Sequence, residues 1–265
     1  MANIIRRQLE RNWTFLVAVM LVLGAFEFLL CAVVASVDVK GAFGEITRFA
    51  PPVFRAMIEQ NMPEGSAAGL LAFGWNHPVA HALLTAVAIT LGARAIAGEV
   101  ENGAIELVLA QPVSRGEYFA AHALFGAGAL MAVLVVGLLG TAIGQAVYSL
   151  DAFGLPRLAA LFLNAFLLQL ALFAVTLLAS AFGRETGRVA IVGVLVAVIS
   201  YLLNALAILW DKAAFLKPLS LHGYYDPRAV LIEGGLSAPS TVILGACAAI
   251  GIAAALIRFD RRDLP

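Results

Sequence analysis

His77 and His81 stand four residues apart, a spacing that puts two imidazoles on one face of a helix as a metal-binding pair would need them. The acid of an H-E-x-x-H motif is missing, Pro78 sits between them at a helix start, and no third ligand is near in sequence. The pair therefore reads as two neutral histidines at an interface, and no metal site is assigned. His122 and His222 stand alone. No serine, cysteine or lysine lies beside a base in a nucleophilic pattern, so no catalytic residue is assigned either. A phosphate-binding G-x-x-x-x-G-K-[ST] loop is also absent; the nearest stretch, 183–188, lacks the lysine and hydroxyl that would serve phosphate and magnesium. The chain is not expected to be an enzyme or to hold a cofactor of its own.

The remaining conspicuous groups are polar residues inside apolar runs. Glu27 lies in the middle of one, where a charged carboxylate costs about 3 kcal/mol. It must face protein or water, either as a substrate or proton site in a pathway or as a protonated acid bonded to a neighbouring helix. Gln169, Thr176 and Ser180, with Asn164 off their line, and Ser200, Tyr201 and Asn204 within one turn, pose the same choice between lining a cavity and bridging helices. Glu27, Gln169, Thr176, Tyr201 and Asn204 are the candidate pathway residues. Gly137, Gly140 and Gly144 share one run. The last two have the small-x-x-x-small spacing that lets backbones approach closely, within the chain or at a dimer seam.

The elements that hold these groups follow from composition. The chain has 265 residues, 62% apolar and 13% charged, with mean hydropathy +0.94, too apolar for a soluble globular domain. Seventeen basic and 17 acidic residues cancel, which leaves no basic face for nucleic acid. Cys31 and Cys247 sit inside apolar runs and read as small hydrophobes. About 20 apolar residues make one bilayer crossing. Six stretches qualify, at 13–36, 78–97, 118–146, 158–182, 189–210 and 241–257, giving an all-α integral membrane protein with a single transmembrane domain over 1–265.

Trp13 and Tyr118 would mark one interface and Trp75, Tyr148 and Trp210 the other. Residues 3–12 read as an N-terminal interfacial helix, with Ile5, Leu9 and Trp13 on one face and Arg6, Arg7 and Arg11 toward headgroups. Ten basic residues flank the spans on one side and seven the other, which predicts cytoplasmic N- and C-termini and outer loops at 37–77 and 211–239. The first outer loop suggests a short proline-started helix around Pro51, Pro52 and Phe54, with Arg55 and Glu59 four apart. The second is turn-rich, and reads equally as a half-inserted hairpin or a connector.

The segment 98–117 crowds Glu99, Glu101, Glu106 and Glu117 beside a membrane surface that is itself negative. A docking partner that supplies positive charge would relieve this; a solvated turn is the other reading. Pro112 stops one helix, and Ser114 with Glu117 forms a capping box for the next. The run Gly98, Glu99, Glu101, Gly103, Glu106, Leu107, Leu109, Pro112, Ser114 and Arg115 resembles the coupling segment of the membrane (permease) subunit of type-2 ATP-binding-cassette (ABC) exporters. The resemblance extends to the six-span plan, the basic amphipathic start and the closing RFDRRDLP, and departs at Val100, Asn102 and Ala104.

That resemblance implies a permease that exports its substrate through a pathway formed with a second permease copy, a homodimer or close relative, in contact with membrane lipid in the bacterial cytoplasmic (inner) membrane. A separate ABC ATP-binding subunit, which binds ATP and Mg, would dock on Glu99, Glu101, Gly103, Glu106, Leu107, Leu109, Pro112 and Arg115. Two alternatives stay open on the residues alone: an ion-coupled secondary transporter with Glu27 as proton relay, and an intramembrane metalloenzyme built on His77 and His81.

Overall fold

The computed structural model describes residues 1–36, 41, 48–50, 66–105, 113–150 and 153–262. The helix expected around Pro51 lies outside them, as do Glu106, Leu107, Leu109 and Pro112. Six of the described helical stretches are long and apolar enough to cross a membrane, and no strand occurs among the described residues.

The first crossing is α1 (Ala2–Ser36). α2 (Ala67–Asn76) and α3 (Pro78–Ala95) together make the second. The short α4 (Ala97–Glu101) follows, then the long α5 (Arg115–Val147), α6 (Leu155–Phe182), α7 (Thr186–Leu209) and α8 (Ala238–Asp260). α5, α6, α7 and α8 each begin three residues ahead of the apolar run that announces them. A first helical turn leaves N–H groups without intrahelical partners, so it is built from residues that tolerate this rather than from the greasiest ones. Pro156 and Pro239 open α6 and α8, and Ser114 with Glu117 closes the expected capping box on α5. Between α2 and α3 the His77 backbone is extended, and its Nδ1 accepts from the Val79 amide at 3.2 Å. His77 is thus an end cap, which removes it from any metal pair with His81.

α1 corrects one expectation. No break separates residues 3–12 from the span, so the segment expected to be a separate interfacial helix forms the first turns of the crossing itself. The buried residues of α1 are Gln8, Asn12, Leu16, Val19, Leu23, Glu27, Cys31 and Val34, one stripe at spacings of three and four. Leu9 and Trp13 are exposed. The polar stripe of the first turns therefore faces protein and the apolar one faces outward.

This stripe meets α5. A Cβ on Gly140 would run into the Gly24 backbone, and one on Gly144 would lie 2.7 Å from the Cys31 side chain. The glycine line is used for close packing inside the chain, where α1 and α5 make their main contact. α3 and α6 fill the centre, α8 lies along α6, and α7 touches α6 and α3 while turning Ile191, Leu195, Ile199 and Leu202 outward. Two of the expected interface aromatics are core residues instead. Trp75 is fully buried, with Nε1 donating to Thr141 Oγ1 at 3.1 Å, and Tyr118 is buried against Phe259. Trp13 and Trp210 are exposed. A buried indole or phenol persists where its polar atom finds a partner, which a count of apolar runs does not reveal.

The segment after α7 folds back into the bundle. Short 3-10 turns at Asp211–Leu219 and His222–Tyr224 and one wide turn at Ala229–Glu233 carry Tyr225, Val230 and Leu231 into the core. Asn164 pins it, donating to the Tyr224 carbonyl at 3.0 Å and accepting from the Asp226 amide at 3.1 Å, and Tyr225 donates its hydroxyl to the Trp75 carbonyl at 2.9 Å.

Replacing Gly140 by Ala is expected to destabilise the protein by about 1 to 3 kcal/mol, because one methyl must displace backbone. Gly128→Ala, where nothing lies within 4 Å of the new methyl, is expected to be neutral or slightly stabilising. Thermal unfolding of the two variants in detergent measures the difference; equal midpoints would mean that α1 and α5 are not in close contact.

Candidate functional site

The residues around α4 gather three crossings at one end of the bundle. Glu99 is 1% exposed. Its carboxylate accepts from Arg7 Nη2 at 2.9 Å, from Arg11 Nη1, and from Gln8 Nε2 at 3.4 Å. Arg11 also donates to Gln8 Oε1 at 3.2 Å, and Gln8 Nε2 lies 2.9 Å from His122 Nε2. For the Gln8 amide to donate there, the His122 proton sits on Nδ1, which faces the Tyr118 carbonyl at 3.0 Å. This cluster joins α1, α4 and α5. Glu99, expected among the docking residues, points its carboxylate inward, and its cations come from the same chain.

Glu101 is exposed but held. Its Oε2 accepts from the Thr186 amide at 2.8 Å and from the Thr186 hydroxyl at 2.6 Å, bonds that keep its carboxyl below the usual carboxylate range. They tie α4 to the first residue of α7. Ser180 of α6 makes the third tie. Its Oγ accepts from the amides of Ile96 and Ala97 at 3.2 and 2.8 Å and donates to the Ala93 carbonyl at 3.0 Å, holding the bend between α3 and α4. Read from sequence as either a cavity residue or a helix bridge, Ser180 is the bridge. Gly103 follows the helix end with φ +65°, the left-handed turn that glycine adopts without strain.

Three of the four acids that seemed to need an outside cation therefore have partners within the chain, Glu117 through its box with Ser114. Arg115, expected at the docking surface, instead donates to the carbonyls of Phe259, Asp260 and Arg262 at 3.4, 2.9 and 2.7 Å. Arg262 in turn donates to those of Ser180, Ala181 and Gly183 at 3.4, 3.1 and 2.8 Å. Two guanidiniums thus satisfy the carbonyls that helices leave open at their C-terminal ends.

The candidate pathway residues do not converge. Thr176 is wedged between Gly92 and Gly193, with its hydroxyl on the Leu172 carbonyl at 2.8 Å. Gln169 is buried and accepts from Thr85 at 3.4 Å. Both bridge or pack helices. Glu27 is 0% exposed; one oxygen accepts from Thr141 at 3.3 Å and Oε1 has no partner. Tyr201 does line a cavity, of about 220 Å³, between α3 and α7 with Pro78, His81, Thr85, Ala197 and His222. Asn204 lines a smaller one, of about 70 Å³, with Asn76, Lys217, Tyr225 and Asp226.

His222, isolated in sequence, is not isolated in space. Its Nδ1 lies 2.8 Å from Ser200 Oγ, and its ring is 5.2 Å from that of His81. Burial, with His81 alongside, pushes the His222 imidazole down to about 3, so it stays neutral. Ser200 Oγ also receives the His222 amide at 3.1 Å and contacts Ser220 Oγ at 3.2 Å, so the pair is a clasp between α7 and the returning segment. The 22-residue separation of Ser200 and His222 leaves no trace in local spacing. Among the described residues no cluster of three or more His, Cys, Asp or Glu side chains is placed to hold a metal.

Residues 5–264 match a family model described as ABC-2 family transporter protein. No curated protein matches the chain.

Glu99→Gln is expected to lower stability by about 2 kcal/mol, less than for a fully buried pair because Arg7 and Arg11 keep some water. In a double-mutant cycle with Arg11→Gln the two losses should fall short of additive by about 1 kcal/mol or more. Strict additivity would show that the groups do not interact. The Glu101 bonds contribute stability above the ordinary carboxylate range, lost only as pH falls through the depressed value. Thr186→Val should return Glu101 to that ordinary range in a carboxyl NMR titration.

Proposed function

Since the chain belongs to the ABC-2 transporter family, a family of membrane components that associate with an ATP-binding subunit, we propose that it is the permease of an exporter whose ATP-binding subunit pushes on residues 98–115. The observation that supports this reading is the three-way tether of α4. Through Glu99 it holds α1, through Glu101 it holds α7, and through Ser180 the bend before it holds α6. A force on so short an element reaches three crossings at once, and the continuous α3 adds a fourth. Rigid-body movement of that group is what alternating access asks of a permease.

Within this reading Glu99 is a positioning residue and not a docking contact. Docking falls to the exposed side of the segment, Glu101 and Gly103, and to Glu106, Leu107, Leu109 and Pro112. Two copies facing each other form the pathway, because one bundle of six crossings encloses only small cavities. The ends of α1, α3, α5, α6, α7 and α8 that carry the arginines lie on the cytoplasmic side of the bacterial inner membrane. The cavity at Tyr201 opens between α3 and α7, and is the part of this copy that a substrate entering from the centre would meet. The ion-coupled alternative needs a carboxylate that exchanges protons with water, and Glu27 is 0% exposed.

The test pairs the chain with its ATP-binding subunit in proteoliposomes. Glu106→Lys, which leaves the Glu101 tether in place, puts a cation where the docking groove expects an acid, and should cut transport-coupled ATP hydrolysis by about tenfold or more. The variant chain should still purify as a folded protein. Full coupling in this variant would remove the docking assignment.

A further inference from the structure

The end of the bundle that holds α4 also contains a polar cavity of about 310 Å³, lined by Arg11, Arg94, Gly98, Asn102 and Thr186. Two of these five residues carry guanidiniums, and they differ in one respect. Arg11 is paired with Glu99. Arg94 is half-buried and has no ion pair among the described residues; its bond there is one N–H donated to Asn12 Oδ1 at 2.9 Å. A guanidinium presents five N–H donors. Most of these donors are left for water or for an anion in the adjoining cavity, and a charge-assisted bond to an oxyanion is the stronger of the two.

The surrounding charges favour an anion: Arg7, Arg11 and Arg94 together outnumber Glu99 and Glu101, the latter still ionised against Thr186. Arg188 pairs with Glu185 at the exposed edge, beside Arg184. Asn102 turns its amide N–H to the Gly98 carbonyl at 2.7 Å and so places no competing acid on the wall. The cavity is about ten times the share of liquid volume taken by one water, room for a tetrahedral oxyanion with a substituent. The planar fork of arginine suits phosphate oxygens in pairs. The site also lies at the end of the crossings, the depth at which basic pockets between helices meet anionic headgroups.

We propose that this cavity binds a phosphate oxyanion, carried on the headgroup of an anionic phospholipid or free in solution, with Arg94 as its principal contact. Bound there, the anion touches α1, α3, α4 and α7 together and braces the tether around α4.

The full chain, purified in neutral detergent, is titrated with dioctanoyl phosphatidylglycerol, with inorganic phosphate at constant ionic strength, and with dioctanoylglycerol, which has no phosphate. Melting temperature and native mass spectrometry are read together. Phosphatidylglycerol should raise the melting temperature and add about one ligand per chain. Arg94→Gln should weaken this by about tenfold, the loss expected for one charge-assisted contact, and Arg94→Lys by less. Asn102→Asp, a change on an exposed turn that leaves the arginines in place, puts a carboxylate on the wall and should abolish the effect. If inorganic phosphate alone gives the same Arg94-dependent shift, the site stands as one for the free anion; if only the lipid does, it is a headgroup site. Equal responses of wild type and Asn102→Asp, or an equal response to dioctanoylglycerol, overturn the proposal whether or not Arg94→Gln folds.

Discussion

A carboxylate removed from water has to find its positive charge nearby, and in this protein Glu99 finds it on the first turns of a helix about 90 residues away in sequence. That requirement fixes how α1 is rotated. With Gln8 and Arg11 committed to the Glu99 cluster, the stripe that follows them must point the same way for the rest of the helix, so Leu23, Gly24 and Cys31 arrive on the glycines of α5. The position of α4 then depends on α1 as much as on α3, which precedes it in the chain. Ser180 and Thr186 complete the arrangement from the other side.

The opposite end is organised by a different kind of polar group. There the chain is short of regular structure, and buried amides and hydroxyls do the work that helix ladders do elsewhere. Asn164, Tyr225 and the Ser200–His222 clasp hold a returning segment whose own turns are too short to be stable alone. One end of the bundle is thus centred on a buried charge cluster, the other on buried neutral hydrogen bonds with Arg157 added on the Leu231 carbonyl. The cavity at Tyr201 lies against this end, with His81 and His222 among its walls.

Much of this was legible in the sequence. Six crossings follow from apolar runs alone, because length and hydropathy are local quantities. The Ser114–Glu117 box and the proline starts are local too. The pairings were not legible. Glu99 looked like a charge awaiting a partner because its arginines lie about 90 positions earlier, and Arg115 looked like a surface cation because the carbonyls that it caps lie about 145 positions later. Trp75 and Tyr118 looked like interface markers because amphipathic rings serve equally at a headgroup or beside a buried acceptor. His222 looked solitary for the same reason: spacing along one helix says nothing of what another element brings.

The two arginine caps also make one end of the bundle depend on residues far apart in the chain. Arg262, which closes the end of α6, follows the sixth crossing, and the carbonyls that Arg115 closes belong to that crossing as well. Until α8 has been made, the final carbonyls of α6 lack the Arg262 donors. α8 therefore seals a helix made before it, and the basic end takes its finished geometry only once that crossing has docked.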